Sequence, residues 1–346
     1  MSKTSLVLII LGIIILILIL IVIFLIVYNL FLTRRSLKSS NSTNKQSGPT
    51  GQLGPTGTNI PTDDNGHNGF TGSINVPNLN SSQFLVKVCK KTDNSINLQN
   101  IKLNNKNNVT NEILNNLLKL SLNVTSSTCP NNTFERPKGI FGMKKITSYY
   151  KGYIRSVVYA LWNDEHLIFV FSGTSTKLEL LVDLDFKLTD SSDILNVPSF
   201  IKCHNGFLKT YESLQTQLKE IRTKYPERKL IITGHSLGAA LSNLCALDFR
   251  NEEPIHVSFA SPRTGNIAFA NYFNENVKNS YRVYNTADIV PQLPFAILFD
   301  ELFEHTDNDL PFSSNLGSWL ENHVDAYEIN VPFLKLHCDD EIEDFS

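Results

Sequence analysis

A chain of 346 residues with 31 Lys and Arg against 33 Asp and Glu has a formal net charge of −2. It has no basic surplus of the kind that holds nucleic acid, and no acidic block beyond its last few residues. Five cysteines, at 89, 129, 203, 245 and 338, form no C-x-x-C pair, and no zinc or calcium ligand spacing appears, so no metal or cofactor is expected.

Residues 5–32 are an almost unbroken Leu, Ile and Val run without charge. As a helix this run reaches roughly 40 Å, against ~30 Å for a hydrocarbon core, so it can span a bilayer with tilt. Thr33-Arg34-Arg35 follows it in place of the small residues of a cleavage site, which predicts a retained single-pass N-terminal anchor. Lys3 precedes the run, whereas Arg34, Arg35 and Lys38 follow it. The positive-inside rule therefore puts the C-terminal side in the cytosol, although an enzyme delivered outside would carry the same anchor reversed. The side of the membrane stays open at this level.

Residues 33–82 are rich in Ser, Asn, Thr, Gly and Pro and read as a flexible linker. Glycine recurs at 48, 51, 54, 57, 66, 69 and 72, with Ile60 and Asp63 interrupting the phase. A collagen triple helix needs glycine at each axial position, so these degenerate triplets fit a tether better than a trimeric stalk.

From residue 83 to 346 the composition becomes that of one globular domain. Residues 84–88 suggest a strand, and residues 111–122 have Ile113, Leu114, Leu117, Leu118 and Leu122 at helical spacing. Residues 134–139 look irregular, and β-rich runs at 153–162 and 166–171 predict a hairpin through Asn163-Asp164-Glu165. Downstream, a helix is expected over 207–225, a strand at 256–259, a helix around 268–275, a strand at 281–284 and a final alternating run at 327–333. Strands alternating with helices give a mostly parallel sheet with helices on both faces, and ligands at the carboxyl ends of its strands.

Within this pattern Leu230-Ile231-Ile232 leads into Gly234-His235-Ser236-Leu237-Gly238, and Ala240, Leu241, Leu244 and Leu247 follow at helical spacing. Strand, tight turn and helix with G-x-S-x-G at the turn describe a nucleophile elbow, in which the glycines keep strand and helix from colliding. A serine hydroxyl needs a histidine to take its proton, and that histidine needs a carboxylate. In the chain order Ser, Asp, His the remaining histidines are His305, His323 and His337. Asp288, three residues past the strand ending at Asn285, is the leading acid, while Asp248 and Glu275 read as solvated helix charges. His323 is preferred as base because its connection can reach back over the elbow. His305 is the competitor, and His337 lies beside Cys338-Asp339-Asp340. Leu237 would supply one backbone N–H to an oxyanion hole, and the turn Phe171-Ser172-Gly173-Thr174 would supply the other through Thr174.

Gly234-His-Ser-Leu-Gly-Ala-Ala240, the Phe171 to Thr174 turn, Asp183 to Phe186, His204 to Phe207 with Tyr211, Asn285 to Pro291 with Leu293-Pro294, and His323 with Tyr327 together resemble the class 3 (fungal-type) lipases. The resemblance covers about residues 140–333. It implies an α/β-hydrolase fold, with Ser236, Asp288 and His323 as nucleophile, acid and base, and Thr174 and Leu237 at the oxyanion hole. It also implies a helical lid over 176–182, a structural role for His204 and a non-catalytic His305. Ser172 and Leu180 depart from the family's usual Arg and Trp, at positions that bear on the lid. The expected protein is a membrane-anchored serine ester hydrolase of lipid acyl esters, triacylglycerol or phospholipid. The alternative is a catalytically inactive lipase-like module displayed on a membrane.

Overall fold

The computed structural model describes residues 89, 96–98, 109–129, 131–150, 153–173, 187–298 and 301–336. The expected anchor over 5–32, the linker over 33–82, the strand at 84–88, Thr174, the lid at 176–182 and His337 lie outside the described residues. Among the described residues no helix is long and apolar enough to cross a membrane.

Helix α1 (Asn111–Ser126) begins where the Thr110 side chain accepts the Ile113 amide, an N-cap that satisfies one of the helix's unpaired donors. The hairpin expected from 153–171 forms as β2 (Tyr153–Trp162) and β3 (His166–Phe171), and β1 (Gly142–Tyr150) adds to its outer edge. Sequence reading missed β1. Lys144 and Lys145 interrupt its apolar pattern, which an edge strand tolerates because one side faces solvent.

After a short β4 (Leu188–Asp190), α2 (Ser192–Leu195) and β5 (Lys202–His204), α3 (Asn205–Lys224) delivers the chain to β6 (Lys229–His235) and α4 (Leu237–Asp248). Then follow β7 (Ile255–Phe259), β8 (Gly265–Asn266), α5 (Ile267–Asn276), β9 (Ser280–Asn285), β10 (Ile297–Leu298), β11 (Glu301–Glu304) and β12 (Asp309–Phe312). The last two helices are α6 (Trp319–His323) and α7 (Asp325–Asn330).

The main sheet has seven strands in the order β1-β2-β3-β6-β7-β9-β12. It is antiparallel across β1-β2-β3 and parallel from β3 to β12. A five-stranded sheet, β10-β11-β8-β5-β4, is antiparallel throughout. The α/β architecture is the expected one, a mostly parallel central sheet flanked by helices.

The central strands are buried nearly throughout, β3 along its whole length and β6 from Leu230 to His235, which is why they read as continuous apolar runs. Their alternate side chains feed two cores. Leu167, Phe169, Phe171, Leu230 and Ile232 pack against α3, α4 and α5. Ile168, Val170, Ile231 and Val257 pack against α1 and the C-terminal helices.

Two expectations are corrected. Residues 327–333 are helical, because Tyr327 and Val331 are buried four residues apart while Ile329 and Phe333 are exposed. Asp248 is no solvated charge. Its side chain is 5% exposed and takes Tyr211 Oη at 2.8 Å, Gln215 Nε2 at 2.9 Å and Lys219 Nζ at 3.1 Å, tying α4 to α3. A carboxylate out of water needs such partners.

Candidate active site

The turn between β6 and α4 holds Ser236 at φ 60° and ψ −126°. A positive φ is a strained conformation for any residue with a Cβ. The Ser236 amide donates to the Phe259 carbonyl at 2.9 Å, which fastens the turn to β7. Both flanking glycines are required by close approach. A Cβ on Gly234 would run into the Gly238 carbonyl, and one on Gly238 would run into the Phe171 carbonyl of β3. Leu237 is the first residue of α4, where backbone amides have no partner within the helix. Among the described residues its N–H has no recorded partner, and it stands beside Ser236.

Asp288 lies on the loop after β9, 1% exposed. Its amide donates to the Asn285 carbonyl at 3.0 Å, and its Oδ1 accepts the Val290 amide at 3.0 Å. Oδ2 is thereby aimed at two donors, His323 Nδ1 at 2.7 Å and Tyr327 Oη at 3.0 Å. A carboxylate only accepts, so Nδ1 carries a proton, and in the neutral ring the lone pair is on Nε2. Tyr327 Oη in turn accepts the Asn285 amide at 3.0 Å. Burial and the negative charge of Asp288 both push the Tyr327 phenol well above its ordinary value, so it stays protonated as a donor.

His323 is the last residue of α6. That helix starts at an N-cap, in which Ser318 Oγ accepts the Glu321 amide and donates to the Glu321 carboxylate. Trp319 stacks on the imidazole, with ring centroids 6.5 Å apart. His235, the residue before Ser236, contacts the same group. Its Nε2 bonds the His323 carbonyl at 2.8 Å, and the two rings are 4.7 Å apart. Among the described residues no hydrogen bond joins Ser236 to His323. Such pairs are often long without substrate.

The structure thus brings Asp288 and His323 together and sets Ser236 one residue from the contact between His235 and His323. His305 is elsewhere. Its Nε2 donates to the Pro291 carbonyl at 2.7 Å, and burial with the nearby Arg282 and Arg263 pushes it down to about 3. His204 caps α3, its Nδ1 accepting the Gly206 amide at 3.1 Å, and stacks on Phe207 at 4.0 Å. Ser172 Oγ accepts the Val157 amide at 2.9 Å, bonding β3 to β2.

Sequence reasoning missed a pair of asparagines. Asn285 Nδ2 donates to the Ser314 and Asn322 carbonyls, and Asn322 Nδ2 donates to the Ala287 carbonyl. Together they lock the acid loop to the helix carrying the histidine. The only sequence signal was their adjacency to the residues already singled out.

The family model described as Lipase (class 3) matches residues 168–298, which include Ser236, Leu237 and Asp288 but not His323. A lipase of Rhizomucor miehei is 35% identical over 143 residues, covering 38% of this chain and 38% of the relative. A lipase of Rhizopus niveus is 31% identical over 149 residues, covering 39% and 37% respectively. The chain therefore spans well under half the length of these curated relatives. A solved structure described as a triacylglycerol lipase with a serine protease triad as its catalytic centre is 26% identical with a TM-score of 0.50. That likeness covers 66% of this chain and 92% of the other. Through residues 168–298, the segment that carries the elbow and the loop of Asp288, this chain is similar to the class 3 lipases.

Proposed function

We propose that this chain is a serine carboxylic-ester hydrolase acting on lipid acyl esters, with Ser236 as nucleophile, His323 as base and Asp288 as acid. The observation that carries the reading is the buried 2.7 Å bond from His323 Nδ1 to Asp288, on a helix bonded through its His323 carbonyl to the neighbour of Ser236. Ser236 Oγ attacks the ester carbonyl while His323 Nε2 takes its proton, and Asp288 steadies the imidazolium. The tetrahedral oxyanion accepts the Leu237 N–H, and a donor of this kind is worth about 3 kcal/mol. Thr174 remains the expected second donor. The intermediate collapses as the proton passes from His323 to the departing alcohol. Water then attacks the acyl-Ser236 with His323 again as base, releasing the fatty acid and regenerating the hydroxyl.

Apolar side chains around the site support a lipid substrate. Ile289 follows the acid and is 40% exposed, while Leu316, whose amide donates to Asn322 Oδ1, is 38% exposed. The detergent-solubilised full chain should hydrolyse p-nitrophenyl and acylglycerol esters, and Ser236→Ala should lower kcat about 10⁴-fold or more. Turnover unchanged in Ser236→Ala would sink the mechanism.

The apolar run over 5–32 is the basis for a single-pass membrane anchor holding this enzyme beside acylglycerols or phospholipids. Retention of the full chain in carbonate-washed membranes, and release on deleting 5–32, checks it; equal extraction of both would refute it. Cys89 and Cys129 form a disulfide, which favours an oxidising compartment for the domain over the cytosolic side suggested by the flanking charges. Labelling of both thiols by a maleimide without prior reduction would refute that orientation.

The second reading, an inactive lipase-like module on a membrane, draws on the absent Ser236–His323 hydrogen bond. A fluorophosphonate separates the two, since it requires an activated serine.

A further inference from the structure

The C-terminal end of α1 lies outside the segment matched to the lipase family, yet it reaches the wall of the site. Ser121 and Thr125 stand four residues apart on α1, 0% and 3% exposed. Ser121 Oγ donates to the Leu117 carbonyl at 2.8 Å and lies 3.5 Å from Thr233 Oγ1 of β6, the strand that ends in the elbow. Thr125 Oγ1 donates to the Ser121 carbonyl at 2.8 Å and accepts the Gly173 amide at 2.8 Å. The roles are fixed by chemistry. A carbonyl only accepts, so the single hydroxyl proton goes to Ser121 and the lone pairs are left for Gly173.

Gly173 is where β3 exits against the nucleophile. A Cβ built there would stand 2.9 Å from the His235 carbonyl and 3.5 Å from Ser236 Cβ. The backbone at this point therefore packs directly on the strained turn, with no side chain between them. Its amide is turned toward α1, so Gly173 is itself no oxyanion donor, and its position is set by the threonine it bonds.

The end of α1 that presents Thr125 is braced in its turn. Cys129 is bonded to Cys89, and Asn132 Nδ2 donates to the Cys89 carbonyl at 2.7 Å and to Ser126 Oγ at 2.9 Å.

We infer that Thr125 is a positioning residue for ester hydrolysis: its hydroxyl holds the Gly173 backbone against the Ser236 turn and so fixes the wall beside which the oxyanion forms. The inference rests on the hydrolase reading given above. An oxyanion site works by preorganisation, and a displacement of about 1 Å at such a wall can lower turnover about 10²-fold. The loss falls on the transition state, so kcat drops while KM, set by the acyl chain's contacts, holds.

The test compares full-chain wild type, Ser236→Ala, Thr125→Val and Thr125→Ser on a p-nitrophenyl ester, with the thermal midpoint of each. Valine matches threonine in shape without the hydroxyl, and serine keeps the hydroxyl. The expected result is a kcat lowered about tenfold to hundredfold in Thr125→Val, a KM within about twofold of wild type, and recovery to within about threefold of wild-type kcat in Thr125→Ser. If Thr125→Val does not fold, Thr125→Cys takes its place, since a thiol is a weak acceptor of similar size. A kcat within twofold of wild type in the valine or cysteine variant would overturn the inference, as would a serine variant no better than either. An inactive wild type, or an active Ser236→Ala, would instead overturn the hydrolase reading itself.

Discussion

The proposed triad, Ser236, Asp288 and His323, was read from the sequence on different grounds for each residue. The elbow is local: five consecutive residues and their flanks contain the strand, the strained turn and the helix that make it, and the two glycines answer to contacts within that unit and with β3. Asp288 and His323 were reachable by chain order and strand ends, because this architecture fixes the sequence in which the partners arrive. Tyr327 is the residue whose chemistry the sequence left undefined. It stands 39 positions from Asp288, yet its hydroxyl joins the Asp288 carboxylate to the Asn285 amide. Removing that hydroxyl leaves a buried amide unpaired and Asp288 short of one donor. Tyr327→Phe is therefore expected to lower kcat roughly tenfold and to destabilise the fold by about 1–3 kcal/mol. A variant with wild-type kcat and unfolding midpoint would show that Tyr327 does no more than fill space.

At the scale of elements, α1 shows the limits of periodicity. Its apolar residues predicted a helix ending near residue 122, whereas it runs to Ser126 with Ser121 and Thr125 on the buried side. Polar residues on a buried helix face announce a partner, but that partner, Gly173, is 48 positions away and no local pattern identifies it. The Cys89–Cys129 bridge likewise joins two residues that no local pattern connects. It closes a loop across a sequence separation of 40, which by chain entropy contributes about 4 kcal/mol to stability. Replacing both cysteines with serine should lower the unfolding midpoint and also reduce kcat, because the bridge braces the end of α1 that carries Thr125. An unchanged midpoint would show that the bridge adds nothing to the fold, and an unchanged kcat would separate it from the site.

Across the whole domain, the alternation of strands and helices made the parallel sheet legible, while the short strands β4, β5, β8, β10 and β11 were not. They are two to four residues long, too short for a period to emerge, and they pair only because the larger sheet and its helices bring them together. The same packing sets how stability follows pH. His256 bridges Ser242 of α4 and Ser280 of β9 at 2.9 and 2.8 Å, and burial pushes it down to about 3. His305 is pushed down to about 3 as well. Unfolded, both histidines titrate near 6.5, so between roughly pH 3 and 6.5 the unfolded chain binds more protons than the folded one. Stability is full above that window and falls as pH drops through it, by up to about 1.4 kcal/mol per pH unit for each group. The unfolding midpoint should fall between pH 7 and 4.5, and His256→Asn should make that fall shallower. An identical slope in the variant would show that His256 is not the group responsible.

The central claim is that the elbow serine is activated by His323 and Asp288. Treatment of the full chain with a fluorophosphonate, followed by mass spectrometry of its peptides, tests that directly. The account predicts a single adduct on Ser236 in the wild type, and its loss in Ser236→Ala and in His323→Ala. No adduct in folded wild-type protein, or labelling of Ser236 that persists undiminished without the His323 imidazole, would contradict it.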